Sequence, residues 1–388
     1  MDLPTERGLK GSTMRRKGYL IGMVLCCLLA LAGNAAAQGN WEQEWKRAVE
    51  GAKKEGHLNF YGNHAYPPLL QEFRKKYPDI KVTEVLGTAA QLSQRILAER
   101  RADKYLADIY VASPRTAYTI LLPAKALDPI NSTLILPEVT DQSKWFQGRH
   151  HYVDPERKYV FVQIGTVEGA NLAYNTKLVN LREIRSYWDF VHPKWRGKIA
   201  ALDPQVGANS STGLAFFYHH PELGPAFIRR LFGEMEIVLT RDEVQLLNWV
   251  AVGRYSLGFF VAEIEQAAKQ GLPISQFPPS GFKEGSGVGA TGRGGLAFMN
   301  RAPHPNAAKV FINWFLSREG QRLLQSEMRV WKVDSMREDI SKEEILPDSR
   351  RVKGAKYLLT FLPEYADTRP VRALVDESTR EAARNIKR

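Results

Sequence analysis

The sequence predicts an α/β fold built as two successive units, and three observations carry that prediction. Apolar residues switch repeatedly between helical and strand spacing, and this alternation runs twice along the chain. The 388 residues, 44% hydrophobic and 25% charged, are also enough to bury two cores. In the first unit, Trp41, Trp45, Ala48, Val49 and Ala52 fall at helical spacing, and Gly56 follows as a stop. Leu58 and Phe60 alternate with polar neighbours as a strand. Pro67 opens a helix carrying Leu69, Leu70, Phe73 and Tyr77, which ends before Pro78 because the residue preceding a proline avoids helical backbone. A strand over 80–85, a helix led by Gly87-Thr88 with Leu92, Ile96 and Leu97, and a strand over 108–112 continue the β-α-β alternation of a mainly parallel sheet.

After a less regular stretch over 141–154, strands are expected at 159–164, 171–174 and 198–202, and helices at 212–218 and 225–231. A strand at 237–239, a helix at 242–252 and a strand at 256–260 complete the second unit. The Gly- and Pro-rich stretch 271–295 reads as a return crossover. A strand over 295–299 and a helix from Pro305, with Phe311, Trp314 and Phe315 on its buried face, follow it. The expected organisation is a leader over 1–37, a first lobe over 38–164, a second over 165–260, and a segment over 261–388 that completes the first lobe and adds C-terminal helices.

Arg15, Arg16 and Lys17 precede an apolar stretch from Tyr19 to Leu31, and Ala35-Ala36-Ala37 offers a small-residue cleavage site, so a cleaved export signal and a mature start near Gln38 are expected. The apolar run is short of the roughly 20 residues that span a bilayer. Ser12-Thr13-Met14-Arg15-Arg16 fits a twin-arginine signal only in part, Met14 is an alternative start, and Leu25 is too large to precede a lipid-modified Cys26. Both cysteines, Cys26 and Cys27, lie in this leader. The mature chain is therefore expected to hold no disulfide, no thiolate metal site and no cysteine nucleophile. Losing five Lys/Arg and two Asp/Glu with residues 1–37 lowers the net charge from +12 to +9. Without a basic run interleaved with aromatics, this charge reads as a solvated surface biased towards an anionic ligand, with no nucleic-acid partner.

Four stretches together resemble the type 2 periplasmic binding proteins of ABC importers, in particular the ferric-ion-binding branch. They are Leu58-Asn59-Phe60-Tyr61-Gly62 with 69–82; Leu97-Ala98-Glu99 with Ala107-Asp108-Ile109-Tyr110; Tyr174-Asn175 with Pro193-Lys194-Trp195-Arg196-Gly197-Lys198-Ile199 and Asp203-Pro204; and Leu296-Ala297-Phe298 with 303–311 and Ser317-Arg318-Glu319-Gly320-Gln321. The resemblance implies two α/β lobes joined by two strand-like hinges, a ligand held in the cleft between them, and delivery to a permease of the inner membrane. Ligands of open α/β sheets sit beyond the carboxyl ends of the strands, which agrees with such a cleft. Closure is stabilised to the extent that ligand touches both lobes.

In ferric-ion-binding relatives a histidine, a glutamate and two adjacent tyrosines hold the metal. On that pattern His64, after Gly62-Asn63, matches the histidine, while Ser113 stands at the glutamate position and Glu263-Ile264 at the tyrosine pair. Hard ferric iron favours oxygen donors, so this set is poor for it. Asn209-Ser210-Ser211-Thr212 precedes an expected helix, where hydroxyls and unpaired N–H groups make either an anion pocket or a plain N-cap. Gly87-Thr88 is the counterpart in the first lobe with the same two readings, and Arg241 offers either a bidentate anion donor or a surface charge. Gly287-Val288-Gly289-Ala290-Thr291-Gly292 spells a dinucleotide fingerprint, but no hydrophobic strand precedes it and a strand follows, leaving no helix N-terminus for a phosphate. His150-His151 and His219-His220 lack the spacing of a zinc site.

The enzymes on this fold that resemble porphobilinogen deaminase or the thiamin-degrading enzymes need a cysteine, and no Gly-x-Ser-x-Gly or phosphate loop occurs. The expectation is a monomeric periplasmic receptor, not an enzyme, without cofactor or metal. It would bind a small anionic solute through Asn63, His64, Thr88, Ser113, Ser210, Ser211, Thr212, Arg241 and Glu263. The alternatives are a ferric-ion carrier and a receptor that presents its ligand to a membrane sensor.

Overall fold

The computed structural model describes residues 40–206, 208–328, 333–345 and 349–386; the expected export signal and both cysteines lie outside these residues. The first lobe begins with helix α1 (40–55), strand β1 (His57–Gly62), α2 (Pro67–Lys76), β2 (Lys81–Leu86), α3 (Ala89–Arg101) and β3 (Ile109–Ala112). Strands β4 (Leu127–Asp128) and β5 (Val160–Val162) follow. After the hinge strand β6 (Thr166–Glu168), the second lobe holds β7 (Ala173–Asn175), β8 (Ile199–Leu202), α4 (Ala208–His219), α5 (Gly224–Glu234), β9 (Val238–Thr240), α6 (Glu243–Ala251), β10 (Leu257–Phe259), α7 (Ile264–Lys269) and β11 (Ile274–Gln276). The chain returns through β12 (Ser286–Gly289) to β13 (Gly295–Met299), α8 (Pro305–Leu316) and α9 (Arg318–Glu327), and ends with β14 (Tyr357–Leu359) and α10 (Arg369–Ile386).

The first sheet runs β2-β1-β3-β13-β4, with β5 also paired to β13. Its strands β1, β2 and β3 are parallel, while β13 enters antiparallel because it comes back from the other lobe. Phe60, Phe73, Phe311, Trp314 and Phe315 are buried between this sheet and its helices. The Phe73 and Phe311 rings meet edge-on at 5.1 Å, an arrangement the ring quadrupoles favour. The second sheet runs β11-β7-β10-β8-β9 over its own core, in which Tyr187 stacks on Phe282 at 4.1 Å. Between the two lies a three-stranded hinge sheet, β14-β12-β6, with β6 antiparallel and β14 parallel to β12.

Two features differ from the sequence expectation. Helix α4 starts at 208 rather than 212, so Ser210, Ser211 and Thr212 lie in its first turns instead of before it; Ser210 hydroxyl donates back to Val206 carbonyl at 2.5 Å, a bond made within a continuing helix. The stretch 271–295 is not one crossover. Ile274, Phe277 and Phe282 are buried in the second core and β11 pairs with β7, so the Gly and Pro residues there make turns, and only β12 crosses. Helix α10, one of the expected C-terminal helices, packs on α5, burying Val371, Leu374 and Val375 in the second core.

His150 and His151 are both buried, and each ring accounts for one backbone carbonyl: His150 Nε2 lies 2.8 Å from Val139 O and His151 Nε2 lies 2.8 Å from Phe146 O. Burial pushes the His151 imidazole down to about 4, and lowers His150 as well, because the charged ring loses its water. The folded state thus prefers neutral rings while the unfolded chain takes up protons from about pH 6.5. Stability is expected to be complete above that pH and to fall, by on the order of 3 kcal/mol for His151, as pH drops from about 6.5 through 4. Denaturant unfolding at several pH values should show this slope, and His151→Gln should flatten it.

Candidate functional site

The register of the parallel strands brings chemistry to one edge of each sheet. Gly62 pairs with Leu86 and with Val111, so Asn63, Thr88 and Ser113 leave the first sheet together at its carboxyl edge. Ala201 pairs with Leu239 and Phe259, which places Asp203, Arg241 and Phe260 at the carboxyl edge of the second. These edges border the cleft between the lobes, with the hinge sheet spanning from one to the other.

Several of the expected groups already have local partners. Asn63 Oδ1 accepts from Ala65 N–H at 3.1 Å, forming an Asx turn, and His64 beside it is exposed. Thr88 forms a reciprocal capping box with Gln91: its hydroxyl accepts the Gln91 N–H at 3.3 Å, and Gln91 Oε1 accepts the Thr88 N–H at 2.9 Å. Ser113 caps the short turn behind β3 by accepting Thr116 N–H at 3.4 Å. In the second lobe Ser210 is buried and bonded as described, while Thr212 is half-buried. Arg241 is exposed and lies 3.5 Å from Asp203.

Glu263 is exposed at the start of α7, in left-handed backbone with φ 56°. Phe260 and Asn171, with φ of 65° and 45°, share this sparsely populated conformation. Non-glycine residues held there cost of order 1 kcal/mol or more each, and such strain gathers at ligand sites and switches. Two of the three, Asn171 and Glu263, line a recess of about 560 Å³ whose walls also include Ala262, Gln266, Lys269 and Gln276.

Two functional candidates come from segments that carried no signal in the sequence. Arg372, in the first turn of α10, donates from its guanidinium to Ser211 Oγ at 2.8 Å, bringing a cation to the start of α4. Arg372 Nε is buried without a hydrogen-bond partner among the described residues. On the hinge, the Glu168 carboxylate accepts from Thr360 hydroxyl at 2.8 Å, and Arg115 is the charge that faces it. Burial raises the Glu168 carboxyl above the usual range, with the Thr360 bond and Arg115 opposing that shift. Among the described residues no group of three or more His, Cys, Asp or Glu is arranged to hold a metal ion, and no helix is long and apolar enough to cross a membrane.

Residues 61–322 match the family described as bacterial extracellular solute-binding protein. An uncharacterized protein of Haemophilus influenzae is 23% identical over 266 residues, which is 65% of this chain and 69% of that protein. Among solved structures, Trichodesmium IdiA (FutA) in complex with iron and citrate superposes with a TM-score of 0.58 at 17% identity, over 83% of this chain and 99% of that one. The Bordetella ferric binding protein gives 0.58 at 18%, over 83% and 98%. Likeness at this identity establishes the fold.

The capping box at Thr88 generates a direct expectation. Thr88→Ala should lower unfolding stability by about 1 kcal/mol, the usual cost of a lost N-cap. Denaturant unfolding measures this, and a variant as stable as the parent would show that the hydroxyl contributes nothing to α3.

Proposed function

We propose an anionic ligand for this chain, which belongs to the family of bacterial extracellular solute-binding proteins. Membership makes it a two-lobed receptor that binds a small solute outside the cytoplasm for an ABC importer. We read it further as a binder rather than a catalyst, and as a monomer working in the periplasm. One observation supports an anion in particular: Arg372 reaches Ser211 in the first turns of α4, where a guanidinium, a hydroxyl and the positive end of a helix dipole meet. In this reading Thr212 and Arg241 complete the same edge, and Asn63, Thr88 and Ser113 face it from the first lobe. A carboxylate, phosphonate or phosphate held there while the first lobe contributes neutral donors would stabilise the closed form.

Mass spectrometry of the natively purified protein identifies the bound compound, and that compound is then titrated into parent and variants. Arg372→Ala and the Ser211→Ala, Thr212→Ala double variant should each lose about 1.5–3 kcal/mol of binding for each charge-assisted bond removed, roughly 10- to 100-fold in Kd. Unchanged affinity, with only about 1 kcal/mol lost from stability, would assign these residues to helix capping instead.

A ferric-ion carrier is the second reading, resting on His64 and Glu263 at the two edges. Phenolates do not stand at the expected positions, so ferric ion added to the ligand-free protein should produce no tyrosinate charge-transfer colour. A coloured, tightly bound ferric form would restore the carrier reading.

A further inference from the structure

A second cavity, of about 540 Å³, opens beside the hinge strand β14, and its wall includes Phe146, Asp334, Lys342, Arg351 and Tyr357. Its volume lies within the range that accommodates small ligands. Asp334 is fully buried between two cations: one carboxylate oxygen is 2.8 Å from Lys342 Nζ and the other 3.2 Å from Arg351 Nη1. The remaining bonds of both cations go to neutral acceptors. Lys342 also donates to Gln325 Oε1 and Ser335 O, and Arg351 to Gly165 O and Ser335 O. Arg351 Nε is buried without a hydrogen-bond partner among the described residues.

One buried negative charge thus faces two positive ones, Arg351 nearly buried and Lys342 partly so. The exposed Glu338, also on the wall, attracts both cations, but Lys353 stands on the same wall, so the wall's two carboxylates face three cations and one positive charge is left over. Burial of unbalanced charge is costly, and its effect is visible in Lys342, pushed down to about 8 by desolvation, and in Arg351, also lowered. Phe146 and Tyr357 give the wall an aromatic part. The Arg351 guanidinium lies over the Phe146 ring at 4.7 Å, and Phe146 meets Tyr357 edge-on at 6.1 Å. Gly165 completes the arrangement, since a side chain there would collide with Met336 and with the Arg351 guanidinium.

We propose that this cavity is a second ligand site, separate from the interlobe cleft, for a small organic anion with one carboxylate or phosphoryl head on an apolar body. The head supplies the negative charge that the Asp334, Lys342 and Arg351 cluster lacks, and the body lies against Phe146 and Tyr357.

Calorimetric titration of the full chain with benzoate, and separately with inorganic phosphate, tests the site in the parent and three variants. Lys342→Met removes one cation. Ala355→Phe fills the cavity while leaving the ion cluster intact, so it remains informative if the first variant fails to fold. Arg372→Ala alters only the interlobe site. Saturable binding of either probe is expected in the parent, with Kd raised at least about tenfold by Lys342→Met and by Ala355→Phe and unchanged by Arg372→Ala. Saturation by benzoate assigns a carboxylate head, and saturation by phosphate a phosphoryl one. Absence of saturable binding by both probes, or binding weakened by Arg372→Ala and indifferent to Ala355→Phe, would overturn the proposal.

Discussion

The link between the two lobes is packed around two positions in β12 where a side chain would displace its neighbours. A Cβ at Gly287 would collide with the Thr360 methyl, and one at Gly289 with the Glu168 carboxylate. Because both are glycine, Thr360 can reach Glu168 across the strand, and β14 can lie against β12 as the third strand of the hinge. The consequences run along the chain. With β14 seated there, the segment after it passes Arg115 of the first lobe, which donates to Tyr365 O, and Tyr365 packs its ring on His219 of the second lobe. Helix α10 then lies on α5, and Arg372 arrives at Ser211. The Gly-x-Gly spelling that resembles a nucleotide fingerprint is therefore a packing requirement of the hinge.

The same constraint leaves a carboxylate in the one region that must deform when the lobes close. Glu168 is held by a hydroxyl and one facing arginine, far less than a paired ion would have, and its raised pKa expresses that deficit. Extended strands suit such a hinge. Their hydrogen bonds run between neighbours, so small changes in φ and ψ can be spread over several residues without breaking the two cores on either side.

At the cleft edges, polar groups serve local structure first. A strand that ends and turns into a helix leaves N–H groups without partners, and Thr88 and Ser113 answer them directly. The residue types that cap a helix are also those that hold an anion, so the first-lobe edge combines both chemistries at the same atoms. The second edge differs because a cation is brought in from far along the chain.

Much of the fold was legible from local pattern. Helical spacing at Trp41 to Ala52 and at Phe311 to Phe315, strand alternation at Leu58 and Phe60, and the stop imposed by Pro78 each depend on residues within a few positions of one another, and backbone geometry translates them directly. Elements whose identity rests on distant partners were not legible. Strand β11 reads as loop until Ile274 and Phe277 find the second core, and α4 begins before the serines that read as its cap, with Ser210 donating back to Val206. The candidate site divides in the same way. The sequence by itself determined which polar groups end the strands, Asn63, Thr88, Ser113 and Arg241 among them. Only the tertiary structure decided that Arg372 joins Ser211 across 161 positions and that Asp334, Lys342 and Arg351 gather beside the hinge, because such pairings are set by how whole lobes and the C-terminal helix pack, and no spacing within the chain encodes them.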